Sequence, residues 1–154
     1  MTSSFYGEIY SARYDNNEER FDLLDFYLDR WRQAGKPEPV LEPMCGTGFF
    51  LIPFIEAGAD IDGLDTSPHM ITACQKKCDT KKIEPALYEQ TIEEMNLPRQ
   101  YGFMFIPDRT FGHVYEKDAA QTSLNKPYDH LLPGGWWVLD VALSSMKDKF
   151  GSYD

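Results

Sequence analysis

No stretch of the chain reaches the ~18 consecutive apolar residues that a membrane-spanning helix needs, so no membrane partner is expected. Met1 to Tyr10 lack the basic start and apolar run of a secretory leader. A basic surplus is missing as well: 15 Lys and Arg stand against 25 Asp and Glu, a net charge of −10. Proteins that grip a phosphate backbone present a basic face. The nearest approach to one, Lys76, Lys77, Lys81 and Lys82 with Asp79 among them, reads as a solvated helix end. Nucleic acid is therefore not an expected partner. Cysteine is scarce and odd in number, three in all, which suits a reducing compartment rather than a disulfide framework. The cytoplasm is the expected location. Cys74 and Cys78 are spaced i, i+4, but His69 is the only further ligand nearby; core packing is expected and a metal is not. Internal repeats and low-complexity linkers are lacking too.

What the sequence does contain is apolar bulk, 42% hydrophobic and 14% aromatic over 154 residues, enough for one domain with a buried sheet. Residues 1–36 read as an N-terminal arm and helix, and 37–154 as an α/β domain. Asn16 with Glu19 resembles a capping box, and Phe21, Leu24, Leu28 and Trp31 mark one helical face closed by Gly35 and Pro37. A short strand at Val40-Leu41 runs into Glu42-Pro43-Met44-Cys45-Gly46-Thr47-Gly48, and a helix follows to Glu56. Asp60 to Leu64 is a second strand; Ser67-Pro68 caps a second helix whose apolar face holds Met70, Ile71, Cys74 and Cys78. Strands are expected at 86–88 and 101–106. Beyond them come a helix over 117–131, kinked or divided in two at Pro127 and burying Ala120, Leu124, Tyr128 and Leu131, a tight turn at Pro133-Gly134-Gly135, and a fifth strand over 136–143. This order implies a Rossmann-like three-layer α/β sandwich with a mostly parallel sheet.

In such a sheet the ligand lies beyond the carboxyl ends of the strands, where the winding reverses. The Gly46-Thr47-Gly48 turn lets backbone approach a ligand closely, and Asp65, at the end of the second strand, can accept both hydroxyls of a ribose. A nicotinamide fingerprint requires a third glycine, and Leu51 occupies that position, where it would crowd helix against sheet. Glu42 is badly placed for a pyrophosphate and well placed for a cationic amine. A ligand with an ammonium, a carboxylate and a ribose fits best, as in S-adenosylmethionine.

Residues 40–48 resemble the first motif of the class I S-adenosylmethionine-dependent methyltransferases, and Ile61 to Met70 resemble the second. Leu97-Pro98, Tyr101 to Ile106 and Leu131 to Gly135 resemble later landmarks. The resemblance implies a small-molecule methyltransferase whose cofactor lies against Glu42, Met44, Gly46, Gly48, Asp65, Thr66 and Met70. It further implies that Thr91 and Ile92 read the adenine edge, that the Ile106 carbonyl faces the ammonium, and that Tyr10 and Tyr14 lid the site. Asp108, Arg109 and Phe111 would line the acceptor pocket with Tyr10. His113 is the candidate general base, a plain surface histidine being the other reading. Met44 replaces the first glycine of the motif, Thr91 replaces an Asp, and the family's C-terminal antiparallel strand pair is not found before Asp154. The strand at 136–143 would then be an apolar edge, expected to be covered by a second copy or by more of a larger chain. A SAM-binding module without catalysis and a nicotinamide- or flavin-dependent oxidoreductase are the competing readings.

Overall fold

The computed structural model describes residues 19–108, 110–113 and 117–140, without the side chains at 19, 112, 113 and 117–120. The expected N-terminal arm, the Asn16 cap and the last residues of the fifth strand lie outside the described residues.

The first helix, α1, spans Glu19–Gln33. Gly35 takes a left-handed φ of 88° and the chain folds back, with the Lys36 N–H donating to the Trp31 carbonyl at 2.9 Å. Its inner face keeps Leu28 and Trp31 of the expected stripe, with Leu24 partly buried beside them, and departs from it at the first turn. Tyr27, Leu28 and Trp31 are buried, whereas Phe21 is 54% exposed and Arg20, its neighbour, is buried in its place.

Five strands follow: β1 (Val40–Pro43), β2 (Ile61–Asp65), β3 (Leu87–Glu89), β4 (Tyr101–Ile106) and β5 (Leu131–Leu139). They form one sheet in the order β3-β2-β1-β4-β5, every pair parallel. The winding reverses between β1 and β4, as in a Rossmann-like fold. Helices α2 (Leu51–Glu56) and α3 (Pro68–Lys81) join the first three strands, and α4 (Lys117–Asn125) precedes the last.

Each sheet face has its own core. Tyr27, Trp31, Phe50, Phe54, Phe103 and Phe105 fill one with Cys74 and Cys78, and Leu41, Leu64, Met95, Met104, Ile106 and Phe111 the other. The Phe54 and Phe105 rings stack 4.6 Å apart at 19°. Leu51 packs deep in the first core, where a third glycine would sit in a nicotinamide fingerprint. The room comes from the opposite side: a Cβ on Gly63 of β2 would lie 2.6 Å from Leu51 Cδ1. The crowding expected at Leu51 is thus relieved by a glycine on the strand.

Two expectations near the end of the chain are corrected. The Pro133-Gly134-Gly135 segment is no turn between elements but an irregularity inside β5, which begins at Leu131: Tyr101 pairs with Leu131 while Phe103 pairs with Trp136. Pro127 does divide its helix, and a 3₁₀ segment, Lys126–His130, follows α4. The tighter winding changes which residues face inward, so Pro127 and His130 are buried and Tyr128 is 64% exposed. His130 Nε2 accepts the Leu97 N–H at 3.1 Å, tying the segment to the second core.

Candidate functional site

At the point where the winding reverses, the carboxyl ends of β1 and β2 open into a cavity of about 250 Å³. Its wall takes Glu42, Met44, Cys45 and Gly46 from β1 and the turn, Asp65, Ser67 and Met70 from β2 and α3, and Arg20, Phe50, Pro107 and Thr110 from around the mouth. Of the residues singled out from sequence, Glu42, Met44, Gly46, Asp65 and Met70 thus share one wall.

Asp65 is fixed by the backbone around it. Its Oδ2 accepts the Gly46 N–H and its Oδ1 the Ser67 N–H, both at 2.8 Å, so one carboxylate ties the β1 turn to the start of α3. Ser67 then caps α3, its Oγ accepting the Met70 N–H at 3.4 Å, with Pro68 in the first helical turn. Burial raises the Asp65 carboxyl above its ordinary range, and the backbone N–H donors of Ser67, Gly46 and Thr66 pull against that rise.

Glu42 is held differently. It is 2% exposed, and its Oε2 is buried with no hydrogen-bond partner among the described residues. Burial pushes its carboxyl well above the usual glutamate value; Cys74 and Asp65 add to the shift, and Arg20 opposes it. A buried acceptor without a donor is costly in a folded protein, and here it borders a cavity.

The turn itself departs from regular backbone. Met44 has φ 60°, Gly46 56° and Gly48 81°. The turn therefore keeps its left-handed form at Met44, which carries the strain of a side chain there, a substitution noted above as a departure from the family motif. Glycine is required at 48, where an added Cβ would sit 2.6 Å from Cys74 Sγ. Lys77 Nζ donates to Thr47 Oγ1 at 3.0 Å, a further tie between the turn and α3.

Arg20 was not singled out from sequence. It is buried against Phe49 and Phe50, its guanidinium 4.3 Å and 5.2 Å from the two ring centroids, and its Nε lies 2.9 Å from Asp108 Oδ2. A cation on the inward stripe of an amphipathic helix was the signal available, since burying one is expensive unless it is paired.

Other expected residues sit apart from this wall. Thr66 is exposed beside Asp65, and Gly48 lies under the turn against Cys74. Thr91 caps a turn, its Oγ1 accepting the Glu94 N–H at 3.2 Å, and Ile92 is buried in the second core. The Ile106 carbonyl accepts the Tyr27 hydroxyl at 3.3 Å and the Asp140 N–H at 3.1 Å. Asp108 stands at the mouth with φ 60°, paired with Arg20, and Phe111 is buried behind it. His113 ends a 3₁₀ turn, Thr110–His113. Its side chain lies outside the described residues, as do Tyr10, Tyr14 and Arg109.

A family model described as a methyltransferase domain matches residues 40–135. Among curated proteins, the chain is 24% identical over 129 residues to the dTDP-3-amino-3,4,6-trideoxy-alpha-D-glucopyranose N,N-dimethyltransferase of Streptomyces venezuelae, covering 80% of this chain and 52% of that one. It is 28% identical over 114 residues to the glycine N-methyltransferase of Rattus norvegicus, covering 66% and 39%. Among solved structures, a S-adenosylmethionine-dependent methyltransferase from Clostridium acetobutylicum ATCC 824 superposes with a TM-score of 0.77 at 19% identity, over 97% of this chain and 61% of that one. DesVI of Streptomyces venezuelae gives 0.76 at 19%, over 89% and 57%. The chain spans about half the length of the curated relatives it matches, or less. These structures share its fold, and the family match spans the β1 turn, Asp65 and all five strands up to Gly135. On that match, the chain belongs to the methyltransferase domain family.

Proposed function

We propose that this chain holds S-adenosylmethionine in a methyltransferase acting on a small-molecule acceptor, and that residues 37–154 form the cofactor domain with residues 1–36 as its arm and helix. The observation that carries the reading is the buried, unpartnered Glu42 Oε2 on the same cavity wall as Asp65 and Arg20. The three side chains match the three polar parts of the cofactor: Glu42 its ammonium, Arg20 its carboxylate and Asp65 its ribose hydroxyls. Met70, at the Ser67-capped start of α3, would cover the adenine, with Thr66, Thr91 and Ile92 toward its edge and Gly48 beneath the turn. The family match and the solved neighbours, one of them named as a S-adenosylmethionine-dependent methyltransferase, support the same group. Both argue against the oxidoreductase reading.

When bound, S-adenosylmethionine supplies a methyl group on a sulfonium, already activated for displacement. The chain's own residues then need to bind, align and exclude water. Burial holds the Glu42 carboxyl above its ordinary value, and an arriving ammonium would favour its carboxylate form. Arg20, steadied by Asp108 and by the Phe49 and Phe50 rings, fixes the amino-acid end. The acceptor would enter past Asp108, Arg109 and Phe111 under a lid of Tyr10 and Tyr14, with His113 taking a proton where the acceptor must lose one. Two relatives carry names of N-methyltransferases, one of a dTDP-linked amino sugar and one of glycine, which supports a small-molecule acceptor.

The edge strand β5, where Trp136 is 53% exposed, would be covered by a second copy or by the remainder of a longer protein. Three free, buried cysteines suit a cytoplasmic setting.

Calorimetric titration with S-adenosylhomocysteine tests the cofactor reading. Binding is expected in the native chain and is expected to fall at least ~100-fold in Asp65→Ala, because two hydrogen bonds to a charged group are lost. Equal affinity in the two proteins would reject the assignment. Methyl transfer to pooled small amines and alcohols then separates an enzyme from a module that only binds.

A further inference from the structure

The glycine turn at the cavity has one handle. In Gly46-Thr47-Gly48 both glycines hold left-handed φ, and Thr47 carries the only side chain by which the rest of the fold can grip the turn. Thr47 is 1% exposed, and the Lys77 ammonium donates to its Oγ1 at 3.0 Å across 30 residues of sequence. Lys77 lies on α3 between two other contacts of that helix. Cys74, one turn before it, packs its Sγ where a Gly48 side chain would begin. Lys81, one turn after it, pairs with Glu56 of α2 at 2.6 Å. The three residues follow the i, i+3, i+7 spacing of one helix face. The start of the same helix carries Ser67 and Met70 on the cavity wall.

An ammonium is strongly hydrated and loses side-chain freedom when it is held, so binding a neutral hydroxyl is a weak way to stabilise a fold. What the bond does is restrict the turn. Thr47 directly follows Gly46, whose N–H holds Asp65 Oδ2 at 2.8 Å, and directly precedes Gly48, whose N–H donates to the Cys45 carbonyl at 3.0 Å. We propose that Lys77 is a positioning residue for cofactor binding: by holding the Thr47 hydroxyl, it keeps the glycine turn in the form that receives the cofactor. Neither Lys77 nor Thr47 belongs to the cavity wall, so the bond acts through the turn. A turn already held in its binding form loses less freedom when the ligand arrives, which raises affinity without a new contact.

The gain in affinity rests on the cofactor reading above; the ordering of the turn does not. Amide hydrogen exchange by NMR follows the turn in the ligand-free chain, and calorimetry follows S-adenosylhomocysteine. Lys77→Met keeps the aliphatic stem and removes the ammonium. Expected are exchange at Gly46 and Gly48 at least ~10-fold faster and an affinity about 10-fold lower. Lys81→Met removes the neighbouring cation and should leave both readouts unchanged. Thr47→Ser keeps the hydroxyl and should stay within about threefold of the native chain, whereas Thr47→Val should match Lys77→Met. Adding Lys77→Met to Thr47→Val should change neither readout further, because the bond is already gone. A native chain that does not bind S-adenosylhomocysteine counts against the cofactor reading alone, and exchange still decides whether Lys77 holds the turn. Unchanged exchange in Lys77→Met, faster exchange with unchanged affinity, an equal loss in Lys81→Met, or additive losses in the double variant would each overturn the proposal.

Discussion

At the amino end of the sheet, Asp62 of β2 is buried and partnered at both oxygens. The Tyr101 hydroxyl donates to its Oδ2 at 2.9 Å, and Arg99 reaches its Oδ1 at 3.2 Å while also pairing with Asp60. At the carboxyl end, Glu42 of β1 is equally buried, yet its Oε2 has no partner among the described residues, and the neighbouring backbone holds left-handed φ at Met44 and Asp108. Burial raises both carboxyls above their ordinary values. The difference lies in what opposes the rise. A hydroxyl and a guanidinium are bonded to the two oxygens of Asp62, whereas the Arg20 charge and the Leu51 backbone N–H leave Glu42 Oε2 without a donor among the described residues. One end spends its polar groups on holding strands together. The other keeps an acceptor unsatisfied beside a cavity, as a binding site does.

Breaking the partnered end should have the largest effect on stability. Asp62→Ala leaves the Tyr101 hydroxyl buried without an acceptor and removes a partner of Arg99, which should cost about 2–4 kcal/mol. Affinity for S-adenosylhomocysteine should stay within about threefold, because additivity holds for distant sites. Urea unfolding and calorimetry on the same sample check both halves. Affinity falling in step with stability would mean that the two ends are not separable.

The opposite pattern is expected at Glu42. Glu42→Gln keeps the shape and removes the charge, so affinity for S-adenosylhomocysteine should drop about 10- to 100-fold, the worth of a charge-assisted hydrogen bond. Stability should rise, and the rise should depend on pH. In the folded chain Glu42 titrates above its ordinary value of 4.5, so its favourable contribution is complete below that value and is lost as pH climbs through the folded one. Gln cannot ionise. Its advantage over Glu should therefore be smallest at pH ~4 and grow as pH climbs through the folded value. Denaturant midpoints across that range test the sign; an advantage that shrinks toward high pH would show that Glu42 is stabilised as a carboxylate.

The same contrast separates what was legible in the sequence from what was not. The β1 turn, Asp65, the Ser67 cap and the break at Pro127 all rest on local chemistry: glycine freedom, a side-chain cap, a proline without an N–H. Each can be read within a few residues. The Asp62–Tyr101 and Asp60–Arg99 contacts join residues 39 apart in sequence, and no periodicity announces them. Arg20 was hidden for a related reason, because a stripe of apolar residues fixes a helix face only to within one position, and Phe21 drew the stripe toward itself. The glycine that makes room for Leu51 sits on β2 at Gly63, where only the packed structure reveals its purpose. The irregularity in β5 was misread because Pro-Gly-Gly marks a bend without saying whether a strand continues past it.

Met44 offers the finest test of the comparison, because strain and packing oppose each other within one side chain. Its φ of 60° costs a non-glycine residue about 1–2 kcal/mol. Its side chain is partly buried against the second core and lines the cavity. Met44→Gly should relieve the strain but lose that packing and add unfolded-state entropy, leaving stability within about 1 kcal/mol of the native chain. Met44→Ala loses the same packing and retains the strain, so it should fall below Met44→Gly by about 0.5–1 kcal/mol. Alanine outranking glycine is the usual order in proteins, and finding it here would mean that the turn relaxes once the thioether is gone. The reverse order would place stored strain beside the unsatisfied carboxyl of Glu42, in keeping with an end of the sheet arranged for binding at the expense of stability.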